Sequence, residues 1–456
     1  MIGNLAERIQ SRIRGIDPGS ASYVLNRVRD YRDSLVYNLQ DQDVGNFNVE
    51  NPKDVIIITV DCLRNDHTTS GGHKRDTTPY LSENFTHTEA ISPASWTYSA
   101  VPSLLTGRYP HNHGARYDTD SMRDLSTSDP PYGVRDECLT IAEVLDSLGY
   151  NIWFGTAIEM AAIPLRGRIP SINRRHDADA EALISEVQEW WNQTQGPKFG
   201  YVHLGDPHEP LHQETIKKAE ADQFGPIPDI DGLSRWRFRD TIRPTDEFEG
   251  YREGRELLYD SAIRYVDDCL SSIMEAVDDD TLIFVTGDHG EEFWEYYEFE
   301  KEHFDDPRGY YGTDHGHALV PPVIEVPIFT NQNITKTDGF ASLVDIVPTV
   351  YSELSVSPVP DTDGISLTEN FDRPVLSQEI AYGNNQLSVT HKGEHIITVP
   401  ENGGVIHLDY DTFKEQNRTG RTDDLLDYLP DSKHVGEDSD VSAEARQRLE
   451  DLGYAE

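Results

Sequence analysis

Three apolar runs, DVIIITVD (54–61), KFGYVHLGD (198–206) and TLIFVTGD (281–288), each end in an aspartate. The first consists almost wholly of β-branched residues with no alternating polar face, which is the pattern of a strand buried on both sides. Helical patterns separate the runs. LTIAEVLDSLGYNIWFGTA (139–157) reads as a helix, a turn at Gly149 and a strand; ALISEVQEWWNQ (182–193) is helical, and a helix around 256–276 precedes the last run. Strands alternating with helices predict an α/β fold with a mostly parallel central sheet and helices on both faces. In such sheets ligands bind beyond the carboxyl ends of the strands.

The texture changes after about residue 375. LSVTHKGEHIITVPENGGVIHLD (387–409) has short alternating segments broken by Gly and Asn, the signature of antiparallel hairpins. The expected organisation is a helical lead-in segment at 1–50, a catalytic α/β domain at 51–375, and a small C-terminal antiparallel β subdomain with a terminal helix at 376–456. An acidic stretch, DSKHVGEDSDVS (431–442), reads as a solvated linker before that helix.

Charge narrows the class of protein. Asp and Glu number 82 against 39 Lys and Arg, a formal net charge of −43, and only 10 of the 39 are Lys. The apolar runs exclude a disordered acidic chain, and the charge is spread rather than gathered in a tail. Adaptation to a salt-rich cytoplasm fits best, because screening at 1 M salt acts within about 3 Å. Such a surface also argues against nucleic-acid binding. The three cysteines, Cys62, Cys138 and Cys269, lack CxxC spacing and imply neither a disulfide framework nor a zinc module. MIGNLAERIQSRIRG has no apolar leader core, and no run of about 18 apolar residues occurs, so a soluble, cytoplasmic protein without a transmembrane segment is expected. Oligomeric state leaves no trace in the sequence.

Acid, base and metal-type residues collect where the strands end. The first run delivers Asp61, the second His203, Asp206 and His208, and the third Asp288 and His289. One carboxylate at a strand end is often a helix cap. Three loaded ends in one sheet point to a divalent cation, with Asp61, Asp288 and His289 as candidate ligands.

Over roughly residues 54–455 these pieces resemble the sulfatases of the alkaline-phosphatase superfamily. The resemblance rests on IITVDCLRNDH, LLTGRYPHNHG, HLGDPHEP, VTGDHGEE, HGHAL followed by VP at 326–327, SLVDIVPTV (342–350) and the ending RLEDLGY, in the family's order. It implies an α/β domain whose metal holds a nucleophile beside an anionic ester. Family sulfatases carry Cys or Ser in a Cys/Ser-x-Pro-Ser-Arg pattern, with Leu-Thr-Gly-Arg at fixed spacing, and oxidise that residue to formylglycine. Counting back nine residues from Thr106 gives Thr97; the rival register, matching Pro102 and Ser103, would put Ala100 there, which cannot attack. Threonine cannot yield formylglycine, and Val101 stands where the family has Arg. A threonine here resembles the phosphoesterase, phosphonate-hydrolase and phosphotransferase branches, in which a metal-held Thr attacks phosphorus directly.

The resemblance therefore implies a metal-dependent hydrolase of phosphate, phosphonate or sulfate esters. Asp61, Thr97, Asp288 and His289 would hold one divalent cation, Mn, Zn, Mg or Ca. Thr97 would form a covalent intermediate, Arg64 or Arg108 would neutralise equatorial oxygens, and His208 or His315 would protonate the leaving oxygen. A two-metal variant would use Asp206, His212 and His315 for a second ion. Ser99, Ser103, His111, His113 and His317 read as loop or packing residues; Cys62, at a place where many relatives have an Asp ligand, reads as a small packed thiol, with soft-metal binding as the alternative. The expected substrate is a small-molecule, glycan or lipid ester. A phospho- or sulfotransferase acting on a glycan or lipid acceptor, and a non-catalytic anion- or glycan-binding protein, are the alternatives.

Overall fold

The computed structural model describes residues 27, 30, 31, 33–39, 44–116, 133–175, 178–211, 224–239 and 245–430. His212, the acidic stretch at 431–442 and the terminal helix expected after it lie outside these residues, as does most of the lead-in segment.

An eight-stranded sheet forms the centre. Its strands are β1 (Val55–Val60), β2 (Thr86–Ile91), β3 (Asn151–Thr156), β4 (Ile172–Arg174), β5 (Lys198–Leu204), β6 (Leu282–Gly287), β7 (Glu325–Thr330) and β8 (Ala341–Ser342), in the spatial order β8-β2-β7-β6-β1-β5-β3-β4. Only β7 runs against its neighbours. The mostly parallel α/β fold expected from the sequence is thus present.

The apolar run of β1 is explained by what lies on each side of it. Val55 and Ile57 pack with α1 (Thr97–Thr106), α2 (Ile141–Ser147) and, late in the chain, α5 (Ile346–Leu354). Ile56, Ile58 and Val60 point the other way, into a core shared with α3 (Ala180–Gln193) and α4 (Asp246–Met274). Period-two alternation divides one strand between two cores, and each fully buried Val or Ile contributes about 1.5–3 kcal/mol.

Local signals start the helices. Thr140 and Glu143 form a reciprocal capping box on α2, and the Asp179 side chain accepts from Ala182 N to cap α3. Helix α4 begins ten residues before the stretch read from sequence. Gly250 and Gly254 lower helix propensity there, but Thr245 caps the end and the acidic first turn suits the helix dipole. Gly254 has a packing reason: a Cβ on it would meet Pro228 at 2.8 Å.

A separate five-stranded antiparallel sheet follows: β9 (Val375–Gln378), β10 (Leu387–His391), β11 (Glu394–Val399), β12 (Gly404–Asp409) and β13 (Lys414–Glu415), paired in chain order. It is tied to the loop before α1, where Gln378 N donates to Pro93 O at 2.8 Å, and to the turn after His315, where Ala381 N and Tyr382 N donate to Gly316 O. Among the described residues no helix is long and apolar enough to cross a membrane.

Candidate active site

Strand register brings the carboxylates together. β1 pairs in parallel with β6, Val60 opposite Gly287, so the next residues, Asp61 and Asp288, emerge side by side. On the other flank Thr59 pairs with His203 of β5, and the His203 Nε2 atom reaches Asp288 Oδ2 at 3.3 Å and Asp61 Oδ2 at 3.7 Å. The chain then turns sharply at Cys62, whose φ of 62° lies in the left-handed region, and Cys62 N donates to Asp288 Oδ1.

Thr97 enters from the opposite side as the first residue of α1. Its hydroxyl donates to Asp61 Oδ2 at 3.3 Å and stands 3.1 Å from His289 Nε2. The helix dipole places partial positive charge at this end. Every residue of α1 is buried, and the helix stops at Gly107 in a left-handed conformation; a Cβ there would also meet Thr362 at 2.9 Å. His289 Nδ1 donates to the Gly290 carbonyl, which leaves the lone pair on Nε2 facing Thr97, Asp61 and Asp288.

Asp61, His203, Asp288 and His289 are fully buried, and Thr97 nearly so. Burial works to raise the Asp288 carboxyl, but His289 and His203 overcome it and hold it below the usual range. Burial pushes His289 down. The hydrogen-bond and ion partners of the two carboxylates are imidazoles, a hydroxyl, a thiol and backbone N–H groups, with no Lys or Arg among the described residues. Two adjacent buried carboxylates without a fixed cation, faced by nitrogen and hydroxyl donors, fit a divalent metal ion.

His315 and His208 stand on the next side. The His315 ring is 4.3 Å from that of His289 and 5.2 Å from that of His208. His315 Nδ1 lies 3.1 Å from Glu291 Oε1 and 3.2 Å from Asp314 Oδ1. Burial, reinforced by the Asp314 charge, pushes Glu291 up to about 8.

Three expected residues have other partners. Arg108 follows the far end of the ten-residue α1, about 15 Å along the helix from Thr97, and its guanidinium pairs with the exposed Asp361. Arg64 is buried near the site, but its donors go to Asp66, Glu295 and the Glu291 carbonyl at 2.6–2.9 Å. Asp206 turns back to accept from Ala180 N at the start of α3 at 3.2 Å, and its Oδ2 has no hydrogen-bond partner. Burial pushes its carboxyl up to about 7. Of the residues read as structural, Ser103 bonds His113 at 2.8 Å, His111 lies 3.0 Å from Gln378, and His317 lies 3.1 Å from Glu300.

The sulfatase family pattern matches residues 53–355, which span every strand of the central sheet. This chain belongs to the sulfatase family. Among curated relatives, the sulfatase-family chain is 26% identical over 299 residues to the low-salt glycan biosynthesis sulfotransferase Agl7 of Haloferax volcanii; the match covers 63% of this chain and 60% of that protein. The chain thus spans about three-fifths of the length of that relative. In fold it is similar to the 2-O GAG sulfatase BT1596, with a TM-score of 0.60 at 14% identity over 88% of this chain and 92% of the other. It is also similar to the phosphonate monoester hydrolase of Agrobacterium radiobacter, with a TM-score of 0.57 at 17% identity over 79% and 90%.

Proposed function

We propose that this chain is a divalent-metal-dependent enzyme that cleaves sulfate, phosphate or phosphonate esters through Thr97. The observation that carries the reading is the Thr97 hydroxyl, held between Asp61 and His289 at the N-terminus of a buried helix. Asp61, Asp288, His289 and Thr97 would hold the ion, with His203 beside them. A bound divalent ion supplies the positive charge that lowers the pKa of a hydroxyl and draws in an anionic ester.

Asp61 and His289 would hold the ion while the Thr97 proton passes to solvent and the Thr97 oxygen attacks. A Thr97 O–S or O–P bond forms, the bond to the ester oxygen breaks, and that oxygen is neutralised from the His208–His315 side. Water attacking the same sulfur or phosphorus then releases sulfate, phosphate or phosphonate and restores the hydroxyl. Since threonine bears a methyl where an aldehyde would form, no formylglycine takes part.

A second reading, transfer to a glycan hydroxyl instead of water, is favoured by the likeness to the glycan biosynthesis sulfotransferase of Haloferax volcanii. The test is turnover of aryl sulfate, phosphate and phosphonate esters in molar KCl with Mn or Zn, with and without a sugar alcohol. Release of the free anion supports hydrolysis, and its replacement by a sugar ester supports transfer. No turnover by folded, metal-loaded protein overturns both.

A further inference from the structure

The groups just beyond His208 and His315 border the alcohol portion of an ester that reacts at Thr97. Asp314 stands first among them. Its Oδ1 lies 3.2 Å from His315 Nδ1, and its backbone is left-handed, with a φ of 75°. Both flanks are pinned: Asp314 pairs with Glu292 in a two-stranded antiparallel ladder, and the Gly316 carbonyl accepts from Ala381 N and Tyr382 N. A strained conformation fixed from both sides holds the carboxylate in one orientation.

Two guanidinium groups from other segments frame the second carboxylate oxygen. Arg239 Nη2 is 3.6 Å and Arg308 Nη1 3.9 Å from Asp314 Oδ2, ion pairs too long to be hydrogen bonds. Each arginine is anchored elsewhere. Arg239 donates to Glu209 Oε2 at 2.7 Å, and Arg308 donates through Nε and Nη2 to Asp306 at 2.7–3.1 Å. The anchors are themselves held, Glu209 by Trp236 N and Asp306 by Arg308 N. Both guanidinium groups lie over the Tyr310 ring, 5.5 and 5.7 Å from its centroid, and Arg308 also covers Tyr382 at 3.6 Å. Packing thus fixes the three charged groups without closing them on one another. Arg239 Nε has no hydrogen-bond partner among the described residues. The three side chains keep 17–26% of their surface exposed, so a ligand can reach them.

A polar gap of this width suits a hydroxyl, which accepts from a guanidinium N–H while donating to the carboxylate. A second anionic group does not suit it, because Glu209, Asp306 and Asp314 outnumber Arg239 and Arg308. An alkyl or aryl group would cover charged atoms and return no hydrogen bond. We propose that Arg239, Arg308 and Asp314 form a subsite for an uncharged sugar ring, which takes neighbouring hydroxyls between the guanidinium groups and the carboxylate and rejects acidic sugars. The inference rests on the Thr97 reading and names the class of alcohol that the site handles. It applies to transfer as to hydrolysis, since the Thr97 intermediate is formed and discharged from the same side.

The experiment uses the full chain with Mn or Zn in molar KCl. Substrates are the monosulfates and monophosphates of glucose, galactose and mannose, the matching esters of glucuronate and galacturonate, and aryl sulfate and phosphate. The unmodified protein should turn over a hexose ester with a kcat/KM at least about tenfold above that of its hexuronate counterpart. Arg239→Gln, Arg308→Gln and Asp314→Asn should each lower the ratio of hexose to aryl kcat/KM at least about tenfold, chiefly by raising KM for the hexose ester. Arg308→Lys should recover little of the ratio, because an ammonium lacks the guanidinium fork. Ion pairs that served the fold alone would leave the ratio where it was. Near-ultraviolet circular dichroism identifies a variant that fails to fold. Saturation-transfer NMR of the same hexose esters on metal-loaded Thr97→Ala protein reads binding without turnover. Preference for the hexuronate or aryl ester, or a ratio unmoved in every folded variant, would overturn the subsite and leave the Thr97 reading standing. Hexose-ester binding that the three substitutions weaken, with no turnover by the unmodified protein, would uphold the subsite and remove the Thr97 reading. Neither binding nor turnover would overturn both.

Discussion

Thr97 Oγ1 lies 3.3 Å from Asp61 Oδ2, although 36 residues separate them in sequence. The contact joins the end of the central strand to the start of a buried helix. Because both elements are locked into the core, the hydroxyl is held in place before any ester arrives.

Metal removal is the first prediction. Asp61 and Asp288 are buried side by side without a Lys or Arg partner among the described residues, so chelation leaves their mutual repulsion unbalanced. EDTA treatment should abolish ester turnover and lower the melting midpoint, and both should return on adding Mn or Zn. At a hundredfold excess over its dissociation constant, an ion stabilises the fold by about 2.7 kcal/mol. A midpoint indifferent to chelation and reloading would contradict the site.

Arg168 tests the scaffold. Its guanidinium bonds Glu143 Oε1 at 2.6 Å and the carbonyls of Arg135 and Cys138 at 2.7 and 2.6 Å, pinning residues 135–138 to the capping box of α2. Arg168→Ala leaves Glu143 buried and uncompensated, and should cost about 3–5 kcal/mol in urea unfolding. Arg168→Lys should recover only part of this, since an ammonium cannot reach the same fork of acceptors.

Asp206 gives a pH signature. Its folded-state carboxyl titrates at about 7 against an ordinary value of 3.8. Between these values the unfolded chain gives up the proton while the folded chain keeps it, so stability falls as pH rises through this window and levels off above it. Asp206→Asn removes that term. The variant should gain on the unmodified protein by a few kcal/mol between about pH 4 and pH 8. A difference between the two that does not change with pH would contradict this reading.

Salt should matter strongly. With a net charge of −43 the folded chain repels itself, and screening reaches surface charges first. The melting midpoint should climb steadily from about 0.1 M to about 1 M KCl, whereas a flat or falling midpoint would remove the halophile reading.

The sequence made the strand ends legible because a two-sided apolar run such as VIIITV has few places to go except the middle of a parallel sheet. Parallel register then sets Asp61 against Asp288. Legibility ended where side chains choose distant partners. His203 was visible at a loaded strand end but absent from the expected ligands, since a histidine inside an apolar strand reads as core until Asp288 is known to lie across from it. Glu291 was already present in GDHGEE, yet its contact with His315 depends on a turn formed more than twenty residues later. Arg64 and Arg108 resembled oxyanion clamps until Glu295 and Asp361 arrived from far along the chain. Asp206 shows the same limit: its place at a strand end was readable, its rotation toward Ala180 was not.

The most direct test of the account is the bond to Thr97. Protein incubated with aryl sulfate, phosphate or phosphonate ester in molar KCl with Mn or Zn, then quenched in acid, is digested and its peptides are weighed. The account predicts a sulfuryl, phosphoryl or phosphonyl adduct on Thr97, absent from Thr97→Ala, which should also lose turnover by at least about a hundredfold. Full turnover by Thr97→Ala, with no adduct on the unmodified protein, would contradict it.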